Sequence, residues 1–292
     1  MAVPPCYSDL GKDASDLFSK GYNFGDVKLD VSTTSAGKTG FKAAATSHGD
    51  GPDGASRRVS GSLELKREVY KNESKDITVT SKWATDNTVN TTLTANNFGL
   101  ENNKVTLEGF FVPHSGKHSG KVKGAYKRPH FHMTDEVQVK SEGVAVSATA
   151  VVKKCGFYAG YQGTYSQYHG GFKDSNFAVG FAAKDFSLHT TCINHGSHVH
   201  GSLFHSVSSK LDLGVALRWA AGADGAHFSI GSKYSCCPGT IIRSKFNSDG
   251  ELGLSYKQEL NSNVNVTLSA QVDTKALALP SHRLGLGLDF CA

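Results

Sequence analysis

The feature that most constrains this chain is an alternation of apolar side chains that begins at Val27 and recurs in many short segments. A period of two is typical of β-strands, because successive side chains of an extended strand lie on opposite faces. We expect no charged residue on the apolar face of these strands. That face carries Val27, Leu29, Val31, Leu63, Leu65, Ile77, Val79, Ser81, Trp83, Val105, Leu107, Phe111, Leu211, Leu213, Val215, Leu217, Trp219, Phe228, Ile230, Tyr234, Leu252, Leu254, Tyr256, Val264, Val266, Leu268 and Val272.

The last such segment, "RLGLGLDFCA", shows the pattern most clearly. One face carries Leu284, Leu286, Leu288 and Phe290, and the other carries Arg283, Gly285, Gly287 and Asp289. A soluble sheet would turn the apolar face toward a core, whereas a barrel in a membrane would turn it toward lipid. The segment alone leaves both interpretations open.

Composition favours a strand-rich protein with many tight turns, since 32 glycines stand against seven prolines and two methionines. No apolar run approaches the roughly 18 residues that a membrane-spanning helix needs. The mean hydropathy of -0.31 does not exclude a membrane barrel, because half of every barrel strand stays polar. Roughly 13 to 15 residues for each strand and turn predict about 18 to 20 strands.

The face opposite the apolar one is mildly basic. Its basic residues are Lys28, Lys66, Lys82, Lys104, Lys121, Lys123, Lys140, Lys210, Arg218, Lys233, Lys257 and Arg283. Its acidic residues are Asp30, Glu64, Glu108, Glu136, Asp212, Glu251, Asp273 and Asp289. The excess of about four positive charges, with a net charge of +5 for the chain, suits small anionic partners. Without blocks of Lys or Arg, no nucleic-acid binding is expected.

The first 25 residues follow another pattern. Tyr7, Leu10, Ala14, Leu17 and Phe18 recur at helical spacing, and the glycines of "GYNFG" end the run. We expect one amphipathic helix from Tyr7 to Lys20, capped by Ser8 or Asp9, on a glycine hinge. The chain then divides into a helical segment (1–25) and a strand region (26–292). The N-terminus lacks the features of a secretory or transit peptide, which favours synthesis in the cytosol.

Catalytic and metal-binding motifs are not found. G-x-S-x-G, H-E-x-x-H and G-x-G-x-x-G are missing, so we expect no enzyme and no cofactor. The stretch "HGSHVHGSLFH" places His198 and His200 on one strand face, with His195 and His205 nearby, but this spacing indicates a histidine-rich turn rather than a metal site. The six cysteines show no disulfide framework.

The chain resembles the mitochondrial voltage-dependent anion channels, or mitochondrial porins, along its whole length. The resemblance lies in "AVPPCYSDLGKDASDLFSKGYNFG", "KLDV", "SGSLELK", "KWATDNT", "GAYKRPH", "DSNFAVGF" and "LGLGLDF". It implies an all-β fold, a transmembrane β-barrel of about 19 strands with the N-terminal amphipathic α-helix in its lumen. It also implies a voltage-gated, weakly anion-selective channel in the mitochondrial outer membrane that passes ATP, ADP, phosphate and other small metabolites.

The resemblance also assigns roles to single residues. In the helix, Lys12 and Lys20 would contact anions or nucleotides, Leu10 would contact the barrel wall, and Gly21 and Gly25 would form the hinge. In the last strand, the signal read by the membrane assembly machinery would be Arg283, Gly285, Leu288 and Phe290. Many family members carry a membrane-facing acid where this chain has Ser81, two positions before Trp83.

The implied partners are the lipid bilayer, the permeating anions, further copies of the chain, and cytosolic kinases or apoptotic proteins. Two alternatives come from other classes. A soluble β-rich binding module would stay monodisperse without detergent and conduct nothing. The related barrel that imports proteins into mitochondria normally has larger terminal extensions than this chain.

Overall fold

The computed structural model describes residues 3–35, 39–50, 56–71, 76–97, 102–141, 143–168, 170–223, 225–277 and 282–292. Nearly all of these residues belong to one sheet of 19 strands that closes on itself. Neighbouring strands pair antiparallel, except that the first and last strands pair parallel, with Val27 opposite Leu286 and Val31 opposite Phe290. The predictions of an all-β fold and of 18 to 20 strands are confirmed.

The strands follow one another around the barrel in chain order. They are β1 Asp26–Thr34, β2 Thr39–Asp50, β3 Ser56–Lys71, β4 Asp76–Ala84, β5 Val89–Asn96, β6 Asn103–Val112, β7 Lys117–Arg128, β8 Phe131–Lys140, β9 Gly143–Lys154, β10 Phe157–Ser166, β11 Gly171–Ala182, β12 Phe186–Ile193, β13 His198–Ser208, β14 Leu211–Ala220, β15 His227–Cys237, β16 Thr240–Asn247, β17 Glu251–Asn261, β18 Val264–Asp273 and β19 Arg283–Cys291.

The two faces of the sheet separate as the alternation predicts. Large apolar side chains are exposed on the outside, among them Leu63, Val215, Leu217 and Ile230. A soluble protein of this size would bury such side chains, whereas a barrel in lipid exposes them as a continuous apolar band. The arrangement is that of a membrane-spanning barrel with a polar lumen.

The expectation of an uncharged outer face is wrong at β3, and β8 also carries an outward charge. Strand β3 runs well beyond Leu65, and the register places Arg67 between Thr39 and Val79 on the outer face, where it is exposed. The sequence segment around Leu63 and Leu65 was too short to include it. Asp135 of β8 likewise lies on the outer face, between Gly124 and Ala148.

The helix is shorter than the sequence predicts. A 3-10 turn covers Tyr7–Asp9, and helix α1 covers Lys12–Ser19. Between them Gly11 takes a left-handed conformation with φ of 69°, which breaks the run and makes Gly11 the N-cap of α1. Neither Ser8 nor Asp9 caps the helix. Among the described residues, no helix has the length and apolar character needed to cross a membrane.

Candidate functional site: the lumen and its N-terminal segment

The residues before β1 (3–25), called the N-terminal segment below, lie inside the barrel. The 3-10 turn contacts β9 and β10, and α1 contacts β13 to β16. The apolar face of α1 is turned to the wall, since Ala14 and Leu17 are 2% and 3% exposed. An amphipathic helix in a water-filled barrel buries its apolar stripe only by packing on the wall. The segment therefore narrows the lumen from one side.

Glycines in the wall make room for the segment. A Cβ added at Gly214 would lie 2.6 Å from Leu17 Cδ1, and one added at Gly231 would lie 2.9 Å from the Phe18 ring. Other inward glycines underlie the rest of the segment: Gly160 beneath Tyr7 and Leu10, Gly253 beneath Phe24, and Gly285 and Gly287 beneath Asn23. Residues of the segment therefore pack directly against the backbone of the wall strands.

Leu10 contacts the barrel wall, and the two hinge glycines lie between the helix and the first strand. Leu10 Cδ1 would be 3.1 Å from a Cβ at Gly160 of β10, so it lies directly on the wall. Gly21 and Gly25 have φ values of 83° and 78°, which glycine adopts without strain. The Gly25 amide donates a hydrogen bond to the Leu284 carbonyl, and β1 begins at the next residue.

Two cations of β16 hold the C-terminal end of α1, and both were missed in the sequence. Lys245 Nζ donates to the Phe18 carbonyl at 2.8 Å, and Arg243 Nη1 donates to the Asp16 carbonyl at 3.4 Å. Basic groups stabilise the free carbonyls at a helix C-terminus. Lys245 Nζ also lies 4.3 Å from the centre of the Tyr22 ring. Alternation in "TIIRSKFN" could have revealed both cations, although Ser244 interrupts its apolar face.

Lys12 and Lys20 extend from the segment into the lumen, and each is paired with a carboxylate of the segment. Lys12 Nζ lies 2.9 Å from Asp9 Oδ1, and Lys20 Nζ lies 2.6 Å from Asp16 Oδ2. The Cys6 thiol and the Lys12 ammonium both donate to Asp9, and these hydrogen bonds hold the pKa of the Asp9 carboxyl below its ordinary value. The charges of the two lysines are therefore partly neutralised.

Charges on the lumen wall are distributed unevenly. On β6 to β8, Lys121 pairs with Glu136 at 2.6 Å and Lys123 pairs with Glu108 at 2.8 Å. On β14 and β16, Arg218, Arg243 and Lys245 form no ion pair with any carboxylate in the part of the chain that the structure describes. Cations without an ion-pair partner among the described residues therefore lie beside α1.

The residues of the proposed assembly signal lie along β19. Arg283 and Gly285 face the lumen, and Gly285 lies so close to the Asn23 carbonyl that no Cβ fits. Leu288 and Phe290 face outward, opposite Leu29 and Val31 of β1. The glycines of this strand thus make room for the N-terminal segment. Alternation alone does not reveal why glycine is present at these positions.

The histidine-rich stretch does not converge on one point. Register places His200 on the inner face opposite Arg218, whereas His205 pairs with Leu213 on the outer face. Within the described ranges, no group of three His, Cys, Asp or Glu side chains is placed to hold a metal ion.

A family model for eukaryotic porins matches residues 3–285. The chain belongs to the eukaryotic porin family. It is 41% identical to the "Voltage-dependent anion-selective channel" of Drosophila melanogaster over 287 residues, which are 98% of this chain and 99% of that protein. It is 42% identical to the "Non-selective voltage-gated ion channel VDAC2" of Xenopus laevis over 288 residues, 99% of each chain.

The fold of this porin also occurs among solved structures. A structure described as "Asymmetric conductivity of engineered proteins" matches 86% of this chain and 97% of its own with a TM-score of 0.50. The sequence identity is only 8%, so this likeness concerns the fold alone. Membership of a porin family and the closed barrel with its polar lumen describe a channel and not an enzyme.

Proposed function

We propose that the chain is a voltage-gated, weakly anion-selective channel of the mitochondrial outer membrane that passes ATP, ADP, phosphate and other small metabolites. One observation supports anion selectivity most directly: Arg218, Arg243 and Lys245 face the lumen without a carboxylate partner among the described residues, beside the helix that narrows it. Fixed positive charge in a confined aqueous passage enriches anions. The relatives' names differ on selectivity, so direct measurement decides this point.

The N-terminal segment is the element on which voltage and permeants would act. Lys12 and Lys20 are exposed to the lumen and would contact passing anions or nucleotides, although each also pairs with an acid of the segment. A charge that moves across the membrane field changes energy by about 2.3 kcal/mol per 100 mV. Gly21 and Gly25 would serve as the hinge for such movement. Leu10 would hold the N-terminal part of the segment against the wall at Gly160.

The reversal potential across a potassium chloride gradient tests this proposal. Lys12→Glu with Lys20→Glu changes the charge of the segment by about four units and should shift the channel toward cations. The matched control, Lys121→Glu with Lys123→Glu, makes the same change on β7, away from α1. We expect the smaller shift from the control. Equal reversal potentials for the parent and the segment variant would contradict the proposed role of Lys12 and Lys20.

Ionic strength provides a second test on the parent protein alone. The screening length shortens from about 10 Å at 0.1 M salt to about 3 Å at 1 M. Selectivity that arises from wall charges should therefore fall as salt increases. Selectivity that is constant over this range would indicate steric sieving instead.

We further propose that Arg283, Gly285, Leu288 and Phe290 form the signal that the membrane assembly machinery reads. Phe290→Asp should give protein that is imported into isolated mitochondria and is not assembled. Phe246→Asp is the matched control, since Phe246 of β16 faces outward and is 40% exposed against 38% for Phe290. Equal assembly of the two variants would show that only the lipid-facing charge matters. Contacts with cytosolic kinases or apoptotic proteins stay predictions from family resemblance.

A further inference from the structure

Two cysteine side chains meet at the end of strand β15. The Sγ atoms of Cys236 and Cys237 lie 3.7 Å apart, and both residues are exposed. The other exposed cysteines, Cys155 in the β9–β10 turn and Cys291 at the end of β19, lie at the same rim, because strand direction alternates around the barrel. Among the described residues, only Cys236 and Cys237 bring two thiols within hydrogen-bond distance of each other.

A β-bulge turns these two thiols toward each other. Consecutive side chains of a regular strand lie on opposite faces, so their sulfur atoms would point apart. Here Ser235 pairs with Ile241 and Cys237 pairs with Thr240, which leaves Cys236 without a partner in the ladder. An extra residue of this kind bends the strand and redirects its side chains. The close approach of the thiols is therefore set by the backbone.

The backbone around the bulge is held from both sides. The Ser235 amide donates a hydrogen bond of 2.8 Å to the Lys210 carbonyl in the β13–β14 turn. The Glu259 amide of β17 donates one of 2.8 Å to the Gly239 carbonyl. Pro238 and Gly239 form the tight turn that follows the pair, with φ of 81° at Gly239. Ligands that are held in place before binding lose little entropy when they bind.

The spacing of the pair favours a bridging cation over a disulfide. Disulfide-bonded cysteines usually have Cα atoms about 4.4–6.8 Å apart, whereas consecutive Cα atoms are about 3.8 Å apart. A disulfide between adjacent cysteines is therefore strained. A cation between the two sulfurs requires no bond between them. Thiolates are soft ligands, and among metal ions they favour copper(I) and zinc.

The number of ligands decides between these two metals. Zinc sites in proteins use four protein ligands when structural and three when catalytic. Within the described ranges, no group of three His, Cys, Asp or Glu side chains is placed to hold a metal ion. Copper(I), in contrast, forms stable complexes with two thiolates alone.

The charge around the pair also suits such a complex. Two thiols and one Cu⁺ ion give a copper dithiolate with one negative charge and release two protons. Lys210 lies close enough for its positive charge to favour the thiolate form of Cys236. The same ammonium group would offset the negative charge of the complex.

We propose that Cys236 and Cys237 form a binding site for one copper(I) ion, held between the two thiolate sulfurs at the rim of the barrel. The site lies on β15 at the turn to β16 and uses no residue of the N-terminal segment. The inference is therefore independent of the ion selectivity of the channel.

Competition for copper(I) between the protein and the coloured chelator bicinchoninate tests the site. The full chain in detergent micelles is titrated with ascorbate as reductant and without oxygen, and the absorbance of the chelator complex gives the copper that the protein takes. We expect one copper ion per parent chain. Cys236→Ser and Cys237→Ser should each weaken binding more than about a hundredfold, since changes that keep every ligand already cost about 10- to 100-fold.

Matched variants separate this site from general thiol chemistry. Cys155→Ser and Cys291→Ser make the same chemical change at the same rim and should bind copper like the parent. Lys210→Met keeps both ligands and should weaken binding about tenfold. Single-channel conductance in planar bilayers shows that each variant forms a barrel. The proposal is overturned if the parent binds no copper, if both pair variants keep the parent affinity, or if one copper ion binds per two chains.

Discussion

The lumen walls formed by β6 to β8 and by β14 to β16 differ in charge and in shape. On β6 to β8, Lys121 and Lys123 pair across the ladder with Glu136 and Glu108. On β14 to β16, Lys233 pairs with Asp212, but Arg218, Arg243 and Lys245 lack such partners among the described residues, and α1 lies against the wall. The same alternating pattern has therefore placed ion-paired lysines on one side of the lumen and cations that hold the N-terminal segment on the other.

The two walls also differ in the face on which their glycines lie. Gly109, Gly120 and Gly124 of β6 and β7 lie on the outer face. Gly214 and Gly231 of β14 and β15 lie on the inner face, beneath Leu17 and Phe18. The contrast shows that the face on which a glycine lies, and not the number of glycines, decides where the segment can pack.

The largest expected effect concerns the outer faces, where the two regions should behave alike. Val122→Arg on β7 and Val215→Arg on β14 each place a charge toward lipid and should destabilise the barrel by about 2–4 kcal/mol near mid-bilayer. Gln138→Arg, on the inner face of β8, should fold like the parent. Urea unfolding in vesicles measures all three. Similar unfolding midpoints for Gln138→Arg and the valine variants would show that the faces are misassigned.

A larger side chain in place of an inward-facing glycine of β14 or β15 should weaken the packing of the N-terminal segment on the wall. Gly214→Val places methyl groups where Leu17 packs, and such overpacking costs about 1–3 kcal/mol. The segment should then detach more often, and trypsin should cleave after Lys12 and Lys20 faster than in the parent. Gly120→Val is the matched control, since nothing lies within 4 Å of its added Cβ. Unchanged cleavage of Gly214→Val would mean that the segment is not held by this contact.

Removing one wall cation should have a smaller effect of the same kind. Lys245→Met deletes the hydrogen bond to the Phe18 carbonyl and the contact with the Tyr22 ring, a loss of about 1–3 kcal/mol in docking. Lys123→Met removes a lysine that pairs with Glu108 on the wall away from α1 and should leave tryptic cleavage of the segment unchanged. If both variants release the segment equally, net lumen charge and not the local anchor controls docking.

The smallest expected effect is a pH dependence at the other end of the segment. Because hydrogen bonds from Cys6 and Lys12 lower the pKa of Asp9, its ionised form favours the local fold of the segment around the 3-10 turn. This contribution is complete above the ordinary pKa of 3.8 and disappears as pH falls through the lowered value. Amide resonances of the segment in detergent micelles should show the transition. Asp9→Asn should abolish it, and an identical titration of this variant would assign the transition elsewhere.

Alternation predicted the strands because a two-residue period is a local property of extended backbone, visible from Val27 to Phe290. The break at Gly11 was not predictable in this way, since apolar residues continue at helical spacing on both sides of it. Arg67 was missed because the apolar alternation was followed only to Leu65, whereas β3 continues to Lys71. The fit of Leu17 to Gly214 joins residues remote in sequence, which single-strand patterns cannot reveal.

The parallel contact of β1 with β19 also imposes an order of events on folding. Ser32 bonds the Phe290 carbonyl across 258 positions of sequence, and Asn23 rests on Gly285 and Gly287 of the same last strand. Contacts between residues so remote in sequence form slowly, because a long loop must close before they can stabilise anything. The wall surface that Asn23 contacts, formed by Gly285 and Gly287, does not exist until β19 has joined the sheet. Docking of the N-terminal segment therefore reports that the barrel has closed, and a chain stalled before its last strand would leave the segment without its final anchor.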